Sequence, residues 1–222
     1  MHALSSFLTG FRRTFRHFLA DTSGLALIEF AYSLPVLTTV GLYGAELANY
    51  ATVKMRISQT ALKVADTASR IGENGVLQDI KIYESDVNDV FTGAEYAGRD
   101  LDIEDNGRII LSSLTQNSDG GQWIQWQRCA GNLSYSSTYG NEDDGATGTS
   151  FPGMGPSGEE ITSAAGTAVM FVEIAYTYQP LFTSSWVPGP TQITAIAAFN
   201  VRDDRDLTQI YQKSGVTPSA CT

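Results

Sequence analysis

The chain has 222 residues, with 14 Lys+Arg against 24 Asp+Glu for a formal net charge of −10, two histidines and two cysteines. An acidic balance of this size excludes a binder of the nucleic-acid backbone, whose affinity comes from clustered Lys and Arg, while the length suits one soluble domain with its own core plus an anchor. Both histidines, His2 and His17, precede residue 24, so the body offers no imidazole for a Ser-His or Cys-His nucleophile pair or a histidine metal site.

Residues 1–24 carry Arg12, Arg13 and Arg16 against Asp21, net +2, and the remainder carries 11 Lys+Arg against 23 Asp+Glu, net −12. From Gly24 to Ala45 Glu29 is the one charged position. At 1.5 Å per residue that run makes about 33 Å of helix, the thickness of a bilayer's hydrocarbon core. An ordinary cleaved signal has a shorter apolar core and a small-x-small exit; here the core contains Glu29 and Pro35, and Ala48-Asn-Tyr-Ala51 is a poor exit. A carboxylate in a span costs about 2.5–3.5 kcal/mol at the bilayer centre and marks function. The charge asymmetry predicts a basic cytoplasmic leader over 1–24, a transmembrane helix over 25–46, and an acidic body across the membrane.

The helical period continues past the span. Val53, Ile57, Ala61, Val64, Ala68 and Ile71 recur at spacings of three and four, one apolar face of a helix. Gly72 and Gly75 supply a stop. The spacing predicts a nearly continuous helix from about residue 24 to about 72, with residues 47–72 outside the membrane. Pro35 predicts a kink, because its ring removes one backbone hydrogen bond.

Residues 73–222 mix one helix with strands. Glu84 to Ala97 reads as a helix with Ser85 as N-cap and Val87, Val90, Phe91 and Ala94 as its apolar face. Arg108–Thr115 and Trp123–Arg128 read as strands joined by Asn117–Gly121, a hairpin signal. Strict alternation places Trp123 and Trp126 on opposite sheet faces. Residues at about 132–166, rich in Gly, Ser, Thr, Asn and Asp, read as a long surface loop. Ala168–Gln179 and Gln192–Arg202 alternate apolar and small residues as strands, with Pro188-Gly-Pro190 turning the chain between them.

Two acidic runs, Asn141–Gly145 and Asp203–Asp206, contain oxygen ligands suited to a hard cation but lack the spacing of a calcium loop; they read as a solvated loop and as a strand end before a short C-terminal helix. Cys129 and Cys221 are an even pair, compatible with one bridge in an oxidising compartment or with two free thiols. Consecutive strands joined by turns favour an antiparallel sheet, and its apolar face needs a cover. The expected fold class is α+β: a long N-terminal transmembrane helix leaning on an antiparallel β-sheet domain. No carboxylate pair, nucleophile elbow or phosphate loop forms a catalytic constellation, so neither an enzyme, a cofactor nor a small-molecule substrate is expected.

Gly24, four apolar residues, Glu29 and Phe30 behind a short basic leader resemble the prepilin-peptidase site of type IV pilin-like proteins. The form Gly-x-x-x-x-Glu-Phe-Ala-x-x-x-Pro is similar to the TadE/TadG family of tight-adherence (Tad, or Flp) pilus proteins. So are Trp126–Gly131, Met154-Gly-Pro156, Met170–Glu173, Tyr176–Phe182 and Asn200–Asp203. The resemblance implies a pilin-like fold and a minor pilin or pseudopilin in the bacterial inner membrane, its C-terminal domain periplasmic or carried into the extracellular pilus. It implies cleavage between Gly24 and Leu25 by a prepilin peptidase, a register-setting role for Glu29 and Phe30, and other Tad pilins and pseudopilins as partners. Glu29 then lies one turn from the new amine at Leu25. An uncleaved anchor of the TadG-like kind, a periplasmic binding or scaffold protein, is the other reading.

Overall fold

The computed structural model describes residues 23–75, 78–182, 192–202 and 205–221. The basic leader before residue 23, the turn at Pro188–Pro190 and the pair Asp203-Asp204 lie outside them. The chain divides into two compact units, Met1–Ala48 and Asn49–Thr222. Helix α1, Ser23–Ala68, contributes its first part to one unit and its second part to the other.

In the second unit a two-stranded ribbon, β1 (Glu73–Gly75) and β2 (Gln78–Lys81), follows α1. Next come α2 (Glu84–Ala97), a 3₁₀ turn (Arg99–Leu101) and a short α3 (Ile103–Asn106). Four long strands complete the order: β3 (Gly107–Gln116), β4 (Gln122–Ala130), β5 (Val169–Thr177) and β6 (Gln192–Asn200). They form one antiparallel sheet in the order β4-β3-β5-β6. The class is α+β, with a long apolar N-terminal helix and a four-stranded antiparallel sheet.

The expected stripe on α1 packs as the period requires. Val53, Ile57, Ala61, Val64 and Ala68, with Ala65, are buried in the main core, and Ile71 packs half-buried beside them. The helix nevertheless ends at Ala68, four residues short of the expected stop, and Gly72 follows at φ +136°. The Arg205 guanidinium donates to the Ala68 and Ser69 carbonyls at 3.2 and 2.6 Å, satisfying helix-end acceptors that have no intrahelical donor. Helix α2 buries Val87, Val90, Phe91 and Ala94 as expected. Its cap differs: Ser85 lies inside the first turn, and Asp86 accepts the Tyr83 N–H at 2.9 Å.

Helices α1 and α2 share a core with one sheet face, including Leu111, Trp126, Met170, Val172 and Ile174. The opposite face is also covered. Leu114, Ile124, Val169 and Phe171 form a second cluster with Met154, and Tyr139, Phe151 and Ile161 pack against it. Residues 132–166 are therefore a cover as well as a surface loop. An irregular chain does this work because its apolar side chains are spaced singly among Gly and Ser, without a period that would make a strand or helix.

The tryptophans depart from strict alternation. Ser113 pairs with Trp126 and Leu114 with Ile124, leaving Gln125 as an extra residue in β4. This bulge puts Trp123, opposite Thr115, on the same face as Trp126. The chain after β6 forms no C-terminal helix in its described residues. It makes isolated bridges instead, Ile80 with Arg205, Tyr83 with Tyr211 and Arg128 with Ala220.

Candidate membrane and assembly segment

The first part of α1 has no polar face. Leu27 is 73 % exposed and Leu37 67 %, and the side chains from Gly24 to Ala45 are exposed throughout. A helix that is hydrophobic all round belongs in lipid or among other helices, and this one is long and apolar enough to cross a membrane. Its serine and threonine hydroxyls beyond residue 30 bond within the helix: Ser33 donates to the Phe30 carbonyl at 3.2 Å, Thr38 to Leu34 at 2.9 Å, and Thr39 to Pro35 at 2.7 Å. Such back-bonding removes the cost of a polar side chain where water is absent. The helix runs through Pro35 without interruption.

Gly24 and Leu25 occupy the first turn of α1, and both are exposed. Glu29 stands exposed one turn further on, with Phe30 beside it. A Cβ added at Gly24, Gly41 or Gly44 meets nothing within 4 Å, so these positions present open backbone surface. The next acid behaves oppositely: Glu46 is buried to 1 % exposure. Sequence reading passed over it because an acid just after an apolar run looks like a polar boundary.

Several described residues of the wider resemblance lie in the core or the closures of the second unit. Cys129 and Cys221 are joined across 92 residues, with their Cα atoms 4.9 Å apart. Beside them the buried Arg128 guanidinium donates to both Glu84 oxygens, at 2.7 to 3.2 Å, and to Glu142 at 3.0 Å. Burial pulls the Arg128 pKa down, but the bonds and charge of Glu84, helped by Glu142, outweigh it and leave the group above its ordinary value. Met154 is fully buried, and Tyr176 lies in the main core. Tyr178 stacks edge-on against Tyr50 with centroids 5.1 Å apart, and its hydroxyl accepts from Asn49 at 2.8 Å.

Glu173 is the most enclosed acid on the sheet, 1 % exposed on the face under the loop cover. Tyr135 Oη donates to it at 2.5 Å, Thr138 Oγ1 at 2.7 Å, Ser137 Oγ at 2.9 Å and the Thr138 N–H at 3.2 Å. Burial, then the bond to Glu173, pushes the Tyr135 phenol up to about 12. The arrangement holds a loop by neutral donors around a carboxylate. No family model, curated protein or solved structure matches the chain. What the geometry supports directly is therefore coarse: a helix fit for lipid or helix packing, attached in sequence to a disulfide-closed β-domain.

Proposed function

We propose that this chain is a TadE/TadG-like minor pilin or pseudopilin of a Tad (Flp) pilus, with a pilin-like fold, inserted in the bacterial inner membrane. The observation that carries the reading is the exposed, wholly apolar start of α1, with Glu29 one turn beyond the Gly24–Leu25 bond. In this reading the basic leader stays in the cytoplasm and the acidic domain stands in the periplasm. After cleavage, Glu29 pairs with the amine of a neighbouring Leu25, which offsets the cost of both charges in lipid. Ala26, Ala31, Ser33, Gly41, Gly44 and Ala45 let neighbouring helices approach closely. The disulfide-linked tail suits an oxidising periplasm.

The rival, an uncleaved anchor of the TadG-like kind, draws on one observation: Gly24 and Leu25 lie within the first helical turn. Intact mass of the protein from cells with and without prepilin peptidase separates the two. Loss of residues 1–24 only when the peptidase is present supports the pilin, and a retained Met1 in both strains refutes processing. Glu29→Leu then tests register. With processing intact and protein levels matched, pili should be lost or thinned; unchanged pilus counts would refute the role given to Glu29.

A further inference from the structure

The two edges of the sheet are treated differently. On β4, the outward N–H groups of Ile124, Gln127 and Cys129 donate to the Asp144 carbonyl, the Glu142 carboxylate and the Ser219 carbonyl at 2.9, 3.0 and 2.7 Å. The loop and the C-terminal tail thus close that edge, as soluble sheets generally require. On β6, the Val201 N–H points inward to the Ala168 carbonyl at 2.9 Å. By the alternation of an antiparallel ladder, Ile193, Ala195, Ala197 and Phe199 also face β5, and Gln192, Thr194, Ile196, Ala198 and Asn200 face outward. Among the described residues none of these five has a hydrogen bond on its outer side.

Among the described residues this edge carries neither a charge nor a proline as a guard. From Gln192 to Val201 there is no charge and no proline, and the first charged residue is Arg202. The strand is also self-complementary. Laid antiparallel on a second copy with Ile196 opposite Ile196, it sets Thr194 opposite Ala198 and Gln192 opposite Asn200, so each outward residue meets an outward residue. Every freed N–H and C=O then finds a partner, the two isoleucines touch, and the terminal amides can bond each other. No like charges meet, whereas a strand bearing Lys or Glu at these positions gains nothing from the pairing.

We infer that the β6 edge is a homodimerisation surface, joining the sheets of two copies by antiparallel β6–β6 pairing about a two-fold axis through Ile196. The inference is independent of the pilus reading, since it uses the β-domain alone. A two-fold contact of this kind is isologous and closes on itself, which consumes the edge in a dimer and stops further growth.

The test uses the full chain in native membranes. Directly opposed residues in such a pair have Cα atoms about 5.5 Å apart, within disulfide reach. Ile196→Cys should therefore cross-link on mild oxidation to a species of twice the mass of the monomer in the same membranes, while Gln209→Cys, exposed beyond the sheet, serves as control. Adding Ala198→Pro removes an N–H that points away from β5, leaving the β5–β6 ladder intact. It should lower the dimer yield by about tenfold or more. Thr194→Lys, which places a charge on the edge without touching backbone, should act in the same direction. Cross-linking of Ile196→Cys no greater than the control, a product whose mass is not two copies, or a yield unchanged by both edge variants would overturn the inference. A dimer found in a chain that retains Met1 would leave it standing while the pilin reading falls.

Discussion

Glu173→Ala is the sharpest perturbation of the β-domain. The carboxylate holds the loop cover through Tyr135, Ser137 and Thr138. Thr138 is exposed and can turn to water, so the cost rests on the half-buried Tyr135 and Ser137. Bonds to a charged acceptor contribute about 1.5–3 kcal/mol each, and relief of the buried charge offsets part of their loss. The net expectation is a destabilisation of about 2–4 kcal/mol. For a unit the size of Asn49–Thr222, 1 kcal/mol shifts Tm by about 2–4 °C, so Tm should fall by about 4–16 °C. The assay is thermal unfolding of the full chain in detergent, followed by tryptophan fluorescence, with limited proteolysis at a temperature below the transition. Cleavage should appear first between residues 132 and 166, where the cover detaches. Glu173→Gln keeps the volume and one acceptor oxygen, and the two hydroxyls can reverse to accept from its amide, so its Tm should fall between. A Tm within about 2 °C of the parent, with no new cleavage in the loop, would refute the assignment of Glu173 as the loop's tether.

Glu84→Ala leaves the buried Arg128 with the half-exposed Glu142 as its remaining carboxylate among the described residues, and should cost about 3–5 kcal/mol in a melt, whereas Glu142→Ala should cost about 1 kcal/mol or less. Replacing Cys221 by Ser opens a 92-residue loop, which the chain-entropy model sets at about 4.5 kcal/mol; the Tm difference between oxidised parent and variant measures it. Titration to alkaline pH should destabilise the domain through Tyr135. Its folded pKa, raised to about 12 from 10.0, makes its contribution complete below pH 10 and lost as pH rises through about 10 to 12, an effect that Tyr135→Phe should abolish.

Periodic features were legible and long-range ones were not. The stripe from Val53 to Ala68 and the face of α2 follow from spacing alone, because a helix's burial pattern is set by its own 3.6-residue turn. The end of α1 was overestimated because Ile71 continues the stripe in space after the chain has left the helix. Its actual terminus is held by Arg205, 137 residues from Ala68, a contact that no local pattern encodes. The bulge at Gln125 carries no Gly or Pro to announce it, so alternation put Trp123 on the wrong face. Within residues 132–166, Tyr139, Phe151, Met154 and Ile161 are too sparse to suggest a core, yet they meet the sheet's second face. Of the first part of α1, the Gly24–Glu29 spacing was readable and the burial of Glu46 was not.

These distinctions decide what the apolar start of α1 is for. Both core clusters of the β-domain draw every described residue from Tyr50 onward, so the hydrophobic run before it is not there to fold that domain. From Leu25 to Leu47 the large Leu, Ile, Val, Phe and Tyr side chains remain exposed. At about 1.5–3 kcal/mol for each full burial, they hold on the order of 20 kcal/mol of unrealised transfer energy, more than the whole stability of a typical domain. A sequence under no demand from lipid or neighbouring helices would lose such a surface, since in water it drives aggregation. Glu29 is the one exposed acid on it, since Glu46 is buried, and under the pilin proposal that acid would need an environment apolar nearly everywhere and cationic at one point. A bilayer alone supplies the first condition. In the proposed pilin a neighbouring subunit with a freed N-terminal amine would supply both, which is why the state of the Gly24–Leu25 bond decides between an anchor and an assembly helix.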